Sequence, residues 1–378
     1  MSTNEWRDRA RRLADQLDSM DVLGAGWRDA FEQVPRHVFV PRYFAGNELV
    51  DGADSAQHER WLDAVYSDDP LVTQRTEVPG TNLFLPTSSS TRPSLMARML
   101  GLLNANPQDR VLEIGTGTGY NAALLAHRLG DANVTSIDID ANLVDTARAH
   151  LAEIGYRPHL VAGDGAAGVS DRAPFTRILA TAGVGAVPAA WVAQLADQGL
   201  AVLDVRGELT SSLTVLHKTY PDKLIGWFLP VPGHFMWLRA DAGNPLRHGG
   251  TLATTFDRRD PHTTTTAIPP ADLQDSEFGF LLAFKAPGIQ WIGPTTTRDG
   301  REVVAINSTD ASWVEVSTEP GDAYEVVYGG PTDLWSRIAQ SHASWQEWGR
   351  PRRTRFGLTA HDDGRQEVWL DEPGQTIA

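Results

Sequence analysis

Cysteine is absent from this 378-residue chain. That excludes disulfides, thiolate metal sites and a cysteine nucleophile, and it suits a reducing compartment. Long apolar runs are absent as well: no stretch reaches the roughly 18 residues of a membrane-spanning helix. The opening Met-Ser-Thr-Asn-Glu-Trp-Arg-Asp-Arg-Ala-Arg-Arg is charged and leads into no apolar core, so it lacks a secretory signature. Positive charge is scarce, with 33 Lys and Arg against 48 Asp and Glu and a formal net charge of −15. Such a surface repels phosphate backbones and argues against a nucleic-acid partner. The 11 histidines show no metal-ligand spacing. The expectation is a cytoplasmic, monomeric protein without a metal, a membrane anchor or a nucleic-acid partner.

What is present is enough apolar residue (41%) for a folded core. The length favours two domains. Residues 4–33 carry apolar positions at helical spacing (Trp6, Ala10, Leu13, Leu17, then Trp27, Ala30, Phe31), broken near Gly24–Gly26. Residues 67–90, rich in Asp, Pro, Thr, Ser and Gly, read as loop. A helix is expected over 94–104. From Arg110 strands and helices alternate: strands at 110–114, 133–137, 159–161, 175–180 and 200–205, helices at 120–129, 143–154 and 189–195. This order implies a parallel, doubly wound α/β sheet covered on both faces. Beyond Gly207 short strand-like runs follow at 280–284, 303–306, 313–316 and 324–328, then a helix over 332–348 and strands at 355–359 and 367–370. The polar stretch 240–275, including Thr263–Thr266, reads as a long loop. The expected division is a helical and substrate-loop region (1–86), a catalytic domain (87–213) and a mainly antiparallel α+β extension (214–378) that serves as a peptide-substrate domain.

The stretch Val111-Leu-Glu-Ile-Gly-Thr-Gly-Thr-Gly-Tyr120 is a strand ending in glycines that feeds a helix, which presents backbone N–H groups to a ligand. A dinucleotide fingerprint needs G-x-G-x-x-G. Here Gly115, Gly117 and Gly119 are spaced by two, and the fit is poor. Glu113, just before the glycines, suits a ligand with a cationic amine and sulfonium and would repel a pyrophosphate. S-adenosylmethionine is such a ligand. Asp138, 23 residues after Gly115, ends the second strand and is placed to accept both ribose hydroxyls. Asp164, in Gly163-Asp164-Gly165 after the third strand, could accept from the adenine amino group. Thr116, Ile139, Gly165 and Thr181 complete the candidate cofactor site. Each feature alone has a bland explanation as a tight turn or a helix-end charge. Together, on three successive strand ends, they indicate S-adenosylmethionine, with S-adenosyl-L-homocysteine as product.

Thr87 to Val205 resembles the protein-L-isoaspartate O-methyltransferases. The resemblance is carried by Arg92-Pro93, Met96-Ala97, Met99, Asp109 to Tyr120, Gly155-Tyr156, Gly163-Asp164-Gly165, Ala173-Pro-Phe175 and Thr181-Ala182. Upstream, Val34-Pro-Arg-His-Val-Phe-Val-Pro41 and Tyr66-Ser-Asp-Asp-Pro-Leu71 look like the same family. The resemblance implies a class I methyltransferase sheet and transfer of methyl to a side-chain carboxylate in a peptide. A carboxylate is already ionised at neutral pH and needs no general base. Hydroxyl donors that orient it are sufficient, together with close placement and exclusion of water. By the resemblance, Thr91, ahead of Arg92-Pro93, faces the reacting carboxyl, with Ser88, Ser89 and Ser90 beside it.

Three features depart from the family pattern: the hydroxyl run Thr87–Thr91, the extra or diverged stretch 72–85, and the 170 or so residues after the catalytic segment. The whole arrangement resembles the variants that accompany ribosomally made, modified peptides (lanthipeptides and graspetides). The ending Trp348-Gly-Arg-Pro-Arg-Arg-Thr-Arg-Phe-Gly-Leu-Thr-Ala360, then Asp363 to Asp371, carries that likeness. It implies an aspartate in a constrained ribosomal peptide as acceptor. The ester would then be displaced by the next backbone nitrogen to give a succinimide (aspartimide), and hydrolysis would give isoaspartate. The alternative is repair of L-isoaspartyl residues in damaged proteins. Arg350, Arg352, Arg353 and Arg355 read either as a patch for an acidic peptide or as surface salt bridges. The C-terminal tryptophans read mainly as core, with one or two lining a peptide groove.

Overall fold

The computed structural model describes residues 5–78, 80–240 and 258–377. The first layer holds α1 (Glu5–Ser19), α2 (Arg28–Gln33), α3 (Arg36–Phe39), β1 (Arg42–Ala45), β2 (Glu48–Asp51), α4 (His58–Val65), β3 (Leu71–Glu77) and β4 (Phe84–Ser90). The apolar stripe of α1 buries Trp6, Ala10, Leu13 and Leu17 as its spacing requires. The segment read as loop is instead the β3–β4 hairpin of a four-stranded antiparallel sheet, ordered β2-β1-β3-β4. Its Ser/Thr/Pro-rich second strand has no apolar alternation, so pairing with β3 decides its conformation.

After α5 (Pro93–Leu103) come β5 (Val111–Ile114), α6 (Tyr120–Leu129), β6 (Val134–Asp138), α7 (Ala141–Glu153), β7 (His159–Ala162), β8 (Phe175–Val184), α8 (Ala189–Gln194) and β9 (Leu195–Arg206). Strands β5 to β9 are mutually parallel, and the expected doubly wound α/β sheet is present. Every residue of β5 is buried, as in a sheet covered on both sides. Its Val111 belongs to the core shared with the N-terminal layer, and Leu112 and Ile114 to the core shared with the C-terminal elements.

β10 (Ser211–Tyr220) and β11 (Lys223–Phe228) continue the same sheet antiparallel. The 213/214 division falls inside β10. Next come β12 (His262–Thr266), α9 (Pro270–Leu273), α10 (Ser276–Lys285), β13 (Ile289–Thr296), β14 (Glu302–Ser308), β15 (Trp313–Ser317), β16 (Tyr324–Gly329) and α11 (Leu334–Glu347). Strands β12 to β16 form a separate five-stranded antiparallel sheet. Finally β17 (Phe356–His361) and β18 (Gln366–Leu370) return to the central sheet, whose nine strands run β18-β17-β11-β10-β9-β8-β5-β6-β7.

Two readings are corrected here. Phe280–Phe284 is not a strand but part of α10, which buries Phe278, Phe280, Leu281 and Leu282. An unbroken apolar run fits either period, and the Asp275 carboxylate that caps Glu277 and Phe278 N–H decides for helix. Thr263–Thr266 is not loop but edge strand β12, paired with β16. The rest of that polar stretch, 241–257, lies outside the described residues.

Candidate active site

A cavity of about 650 Å3 opens where β4, the N-terminus of α5, the ends of β5, β6 and β8, and the segment Val231–Arg239 meet. That volume is typical of a small-molecule site. The glycine turn forms its floor. Gly115 N–H donates to Ile137 O at 2.8 Å. Gly115 adopts φ +96°, and a Cβ there would stand 2.8 Å from Thr181 Oγ1, so only glycine fits. The Thr181 hydroxyl donates to Ile114 O and Gly115 O at 3.0 and 2.9 Å. It therefore holds the turn while lining the cavity. Asp138 accepts from Gly117 N–H at 2.8 Å and from Asp140 N–H at 3.1 Å, one on each oxygen. Burial raises its carboxyl above the usual range, against those two N–H donors. Each oxygen retains a lone pair for a ligand hydroxyl.

Gly115, Thr116, Gly117, Asp138, Ile139, Gly165 and Thr181 all line the cavity. Glu113 and Asp164 do not. Glu113 is fully buried beneath the turn, where it accepts from Asn121 Nδ2 and Ser136 Oγ, each at 2.6 Å. Desolvation raises its pKa to about 7, opposed by these two donors. Alternation explains the misplacement: a residue within β5 points into the sheet's flanking layer, not out of its end. Asp164 accepts from Ala166 N–H at 2.9 Å and serves as a turn residue.

Asn121 was not foreseen. It lines the cavity, is 8% exposed, and its Oδ1 has no hydrogen-bond partner although its Nδ2 is engaged. A buried unsatisfied acceptor is costly. Asn121 thus joins the cavity wall to the buried Glu113, with its own Oδ1 left as an acceptor. The orphaned oxygen, the glycine cradle and Asp138 fit S-adenosylmethionine.

The hydroxyl run stands opposite the glycine turn. A Cβ at Gly117 would lie 3.7 Å from Ser88 Oγ. Ser88 to Thr91 all line the cavity, but they are not equivalent. Ser90 Oγ accepts from Arg36 Nε and Nη2, both at 3.2 Å, and is a structural residue. Ser88 Oγ accepts from Thr73 Oγ1 at 3.3 Å and keeps its own proton to donate. The hydroxyls of Ser89 and Thr91 are unbonded among the described residues. Thr87 Oγ1 donates to Gln74 Oε1 at 2.7 Å, and Gln74 Nε2 donates to Asp140 Oδ2 at 3.0 Å. The β3–β4 hairpin is thereby tied to the start of α7.

Sequence reasoning also missed the strap Val231–Arg239. Asp204, fully buried on β9, accepts from Gly233 and Phe235 N–H at 3.2 Å each. A Cβ at Gly233 would stand 2.5 Å from Asp204 Cγ. The strap then pairs with β8 through Gly183 N–H to Met236 O and Leu238 N–H to Gly183 O, both 2.8 Å. Arg239 Nη2 reaches Thr87 O at 3.3 Å. Its Val-Pro-Gly opening is a turn signal, but a partner on a distant strand cannot be read from sequence. Within the C-terminal extension, only this strap lines the cavity among the described residues. Trp313, Trp345 and Trp369 are core, and Trp237 is the tryptophan at the site. Three of the four C-terminal arginines serve local pairs: Arg350 with Asp272, Arg353 with Glu277 and Arg355 with Asp371.

The family model for protein-L-isoaspartate(D-aspartate) O-methyltransferase matches residues 10–226. The chain belongs to this family. It is an S-adenosylmethionine-dependent carboxyl O-methyltransferase. A protein-L-isoaspartate O-methyltransferase of Methanoregula boonei is 33% identical over 241 residues, 61% of this chain and 95% of its own. One of Methylorubrum populi is 34% identical over 215 residues, covering 57% and 87%. A solved structure of a protein-L-isoaspartate O-methyltransferase matches with a TM-score of 0.57 at 21% identity, covering 96% of this chain and 100% of its own. That likeness extends over the fold of the C-terminal extension as well. Among the described residues no group of His, Asp or Glu is placed to hold a metal, and no helix is long and apolar enough to cross a membrane.

Proposed function

We propose that this enzyme methylates the side-chain carboxylate of an L-isoaspartyl residue in a protein or peptide. The observation that carries the reading is the single cavity that sets the hydroxyl run of β4 against the glycine turn. The bound cofactor supplies an electrophilic methyl on a sulfonium centre. Asp138 and the backbone of the turn hold the adenosyl end, and Asn121, backed by Glu113, faces the amino-acid end. Ser88, Ser89 and Thr91 donate to the acceptor carboxylate and aim one oxygen at the methyl. No proton has to be removed, since the carboxylate is ionised at neutral pH. The strap and the hairpin exclude water from the line of transfer. The family, and the relatives of Methanoregula boonei and Methylorubrum populi that carry the name protein-L-isoaspartate O-methyltransferase, support this acceptor.

A second reading is an aspartate in a constrained ribosomal peptide, its ester closing to aspartimide and opening to isoaspartate. It is favoured by the substrate side, where the hydroxyl run Thr87–Thr91 and Arg92 line the cavity beside the β3–β4 hairpin. Methyl transfer from labelled cofactor to linear isoaspartyl, linear aspartyl and cyclised aspartyl peptides separates the two. Transfer to linear isoaspartyl peptides alone supports the first reading; transfer confined to cyclised aspartyl peptides replaces it with the second.

A further inference from the structure

The cavity inverts the charge balance of the chain. The protein carries a net charge of −15, yet the cavity wall holds one carboxylate, Asp138, against three guanidiniums, Arg92, Arg98 and Arg239. Several arginines elsewhere are matched to carboxylates: Arg9 with Glu59 and Asp63, Arg60 with Glu48, Arg301 with Asp299 and Glu325. Among the described residues the Arg92 and Arg98 side chains form no ion pair or hydrogen bond. Arg239 bonds only the Thr87 carbonyl oxygen and lies within electrostatic reach of Asp138. Asp68, on the loop next to α5, is committed to Ser94 N–H at 2.7 Å.

The three cations frame the acceptor run. Arg92 caps α5 directly after Thr91, Arg98 follows on the same helix, and Arg239 closes from the strap. The cofactor adds a further net positive charge, which Asp138 offsets. One acceptor carboxylate then leaves two guanidiniums without a counter-charge. Unmatched charges of one sign in a cleft attract the opposite sign from solution and lower the cost of bringing it there.

We propose that Arg92, Arg98 and Arg239 form an acceptor groove that selects peptides with further acidic side chains beside the carboxylate to be methylated. This rests on the reading of the site as a peptide carboxyl methyltransferase. The groove also favours turnover. Esterification removes one negative charge from the peptide, so the product is held less strongly than the substrate by the same cations.

The test uses the full-length enzyme and three peptides that share one isoaspartyl residue, flanked on both sides by Glu, by Gln or by Lys. Their aspartyl counterparts form a parallel set. Methyl transfer gives kcat/KM, and fluorescence anisotropy with S-adenosyl-L-homocysteine bound gives Kd without turnover. The Glu-flanked peptide should exceed the Gln-flanked one by about tenfold in kcat/KM at low salt, with Lys flanks lowest. The advantage should collapse at high ionic strength, where exposed charges are screened beyond a few Å. Arg92→Gln and Arg98→Gln should each shrink the Glu-to-Gln ratio, with folding checked by circular dichroism. Equal kcat/KM and equal Kd across the three flanks, or a ratio unchanged in both variants, would overturn the groove. Preferential binding of Glu-flanked peptides without methylation of any peptide would leave the groove standing and remove the acceptor assignment instead.

Discussion

Arg36 and Ser90, 54 residues apart and both buried, are joined by two guanidinium-to-hydroxyl hydrogen bonds of 3.2 Å. Arg36 Nη1 also reaches Val65 O at 2.8 Å and Ser67 O at 3.0 Å, and Nη2 is shared with Asp69 O and Thr91 O at 3.2 Å. No carboxylate matches it, and burial lowers its pKa. One side chain thus gathers α3, the loop after α4 and the end of the acceptor strand. Arg36→Met should cost about 3–5 kcal/mol of stability in urea unfolding, the penalty of stranding several buried acceptors. Ser90→Ala should cost only about 1 kcal/mol, since one acceptor is lost and the carbonyls remain satisfied. Equal losses would place the weight on Ser90 instead.

Asp138→Ala should weaken cofactor binding by about 1–3 kcal/mol in calorimetry, the usual range for charged hydrogen bonds. Unchanged affinity would remove Asp138 from the ribose site. Asn121→Ala should weaken it by about 1–2 kcal/mol, through loss of the unpaired Oδ1 acceptor and of the link to Glu113.

The hydroxyls are separable by kinetics. Thr91→Ala and Ser88→Ala should lower turnover on peptide while leaving cofactor affinity within about twofold, an energy below 0.5 kcal/mol. Loss of cofactor affinity in Thr91→Ala would move that side chain out of the acceptor site.

Glu113 ties stability to pH. Its folded pKa, about 7, lies above the ordinary 4.5 because desolvation penalises the charged form. The folded state therefore favours the protonated carboxyl. Its stabilising contribution is complete below about pH 4.5 and is lost as pH rises through about 7. The full span is on the order of 3 kcal/mol. Glu113→Gln should flatten the stability profile between pH 5 and 7, measured by urea unfolding at each pH. A wild-type profile already flat there would show that Glu113 does not titrate in that window.

The strand–helix alternation from 110 to 206 was legible because strands buried on both faces are short apolar runs, and glycines mark where they end. The C-terminal elements were legible one by one but not in their pairing. Nothing in Phe356–His361 says that it will lie beside Lys223–Phe228 rather than in the second sheet, since sheet partners are chosen by tertiary packing. The site shows the same divide. Gly115, Gly117 and Asp138 follow from a local strand-turn-helix pattern. Asn121 and Val231–Arg239 matter only through partners far away in the chain, and Glu113 was misplaced because its β5 neighbours fix its direction.

The family match ends at residue 226, inside β11, and the outer edge of that strand is occupied by β17 from Lys223–His361 to Trp227–Gly357. A chain trimmed at that residue would therefore end in a raw strand, its N–H and C=O groups open and its Leu216 and Leu224 side chains stripped of cover. Such an edge invites another copy to stack against it. The last strands act as a hem: truncation at 226 should yield aggregates in place of a smaller working enzyme.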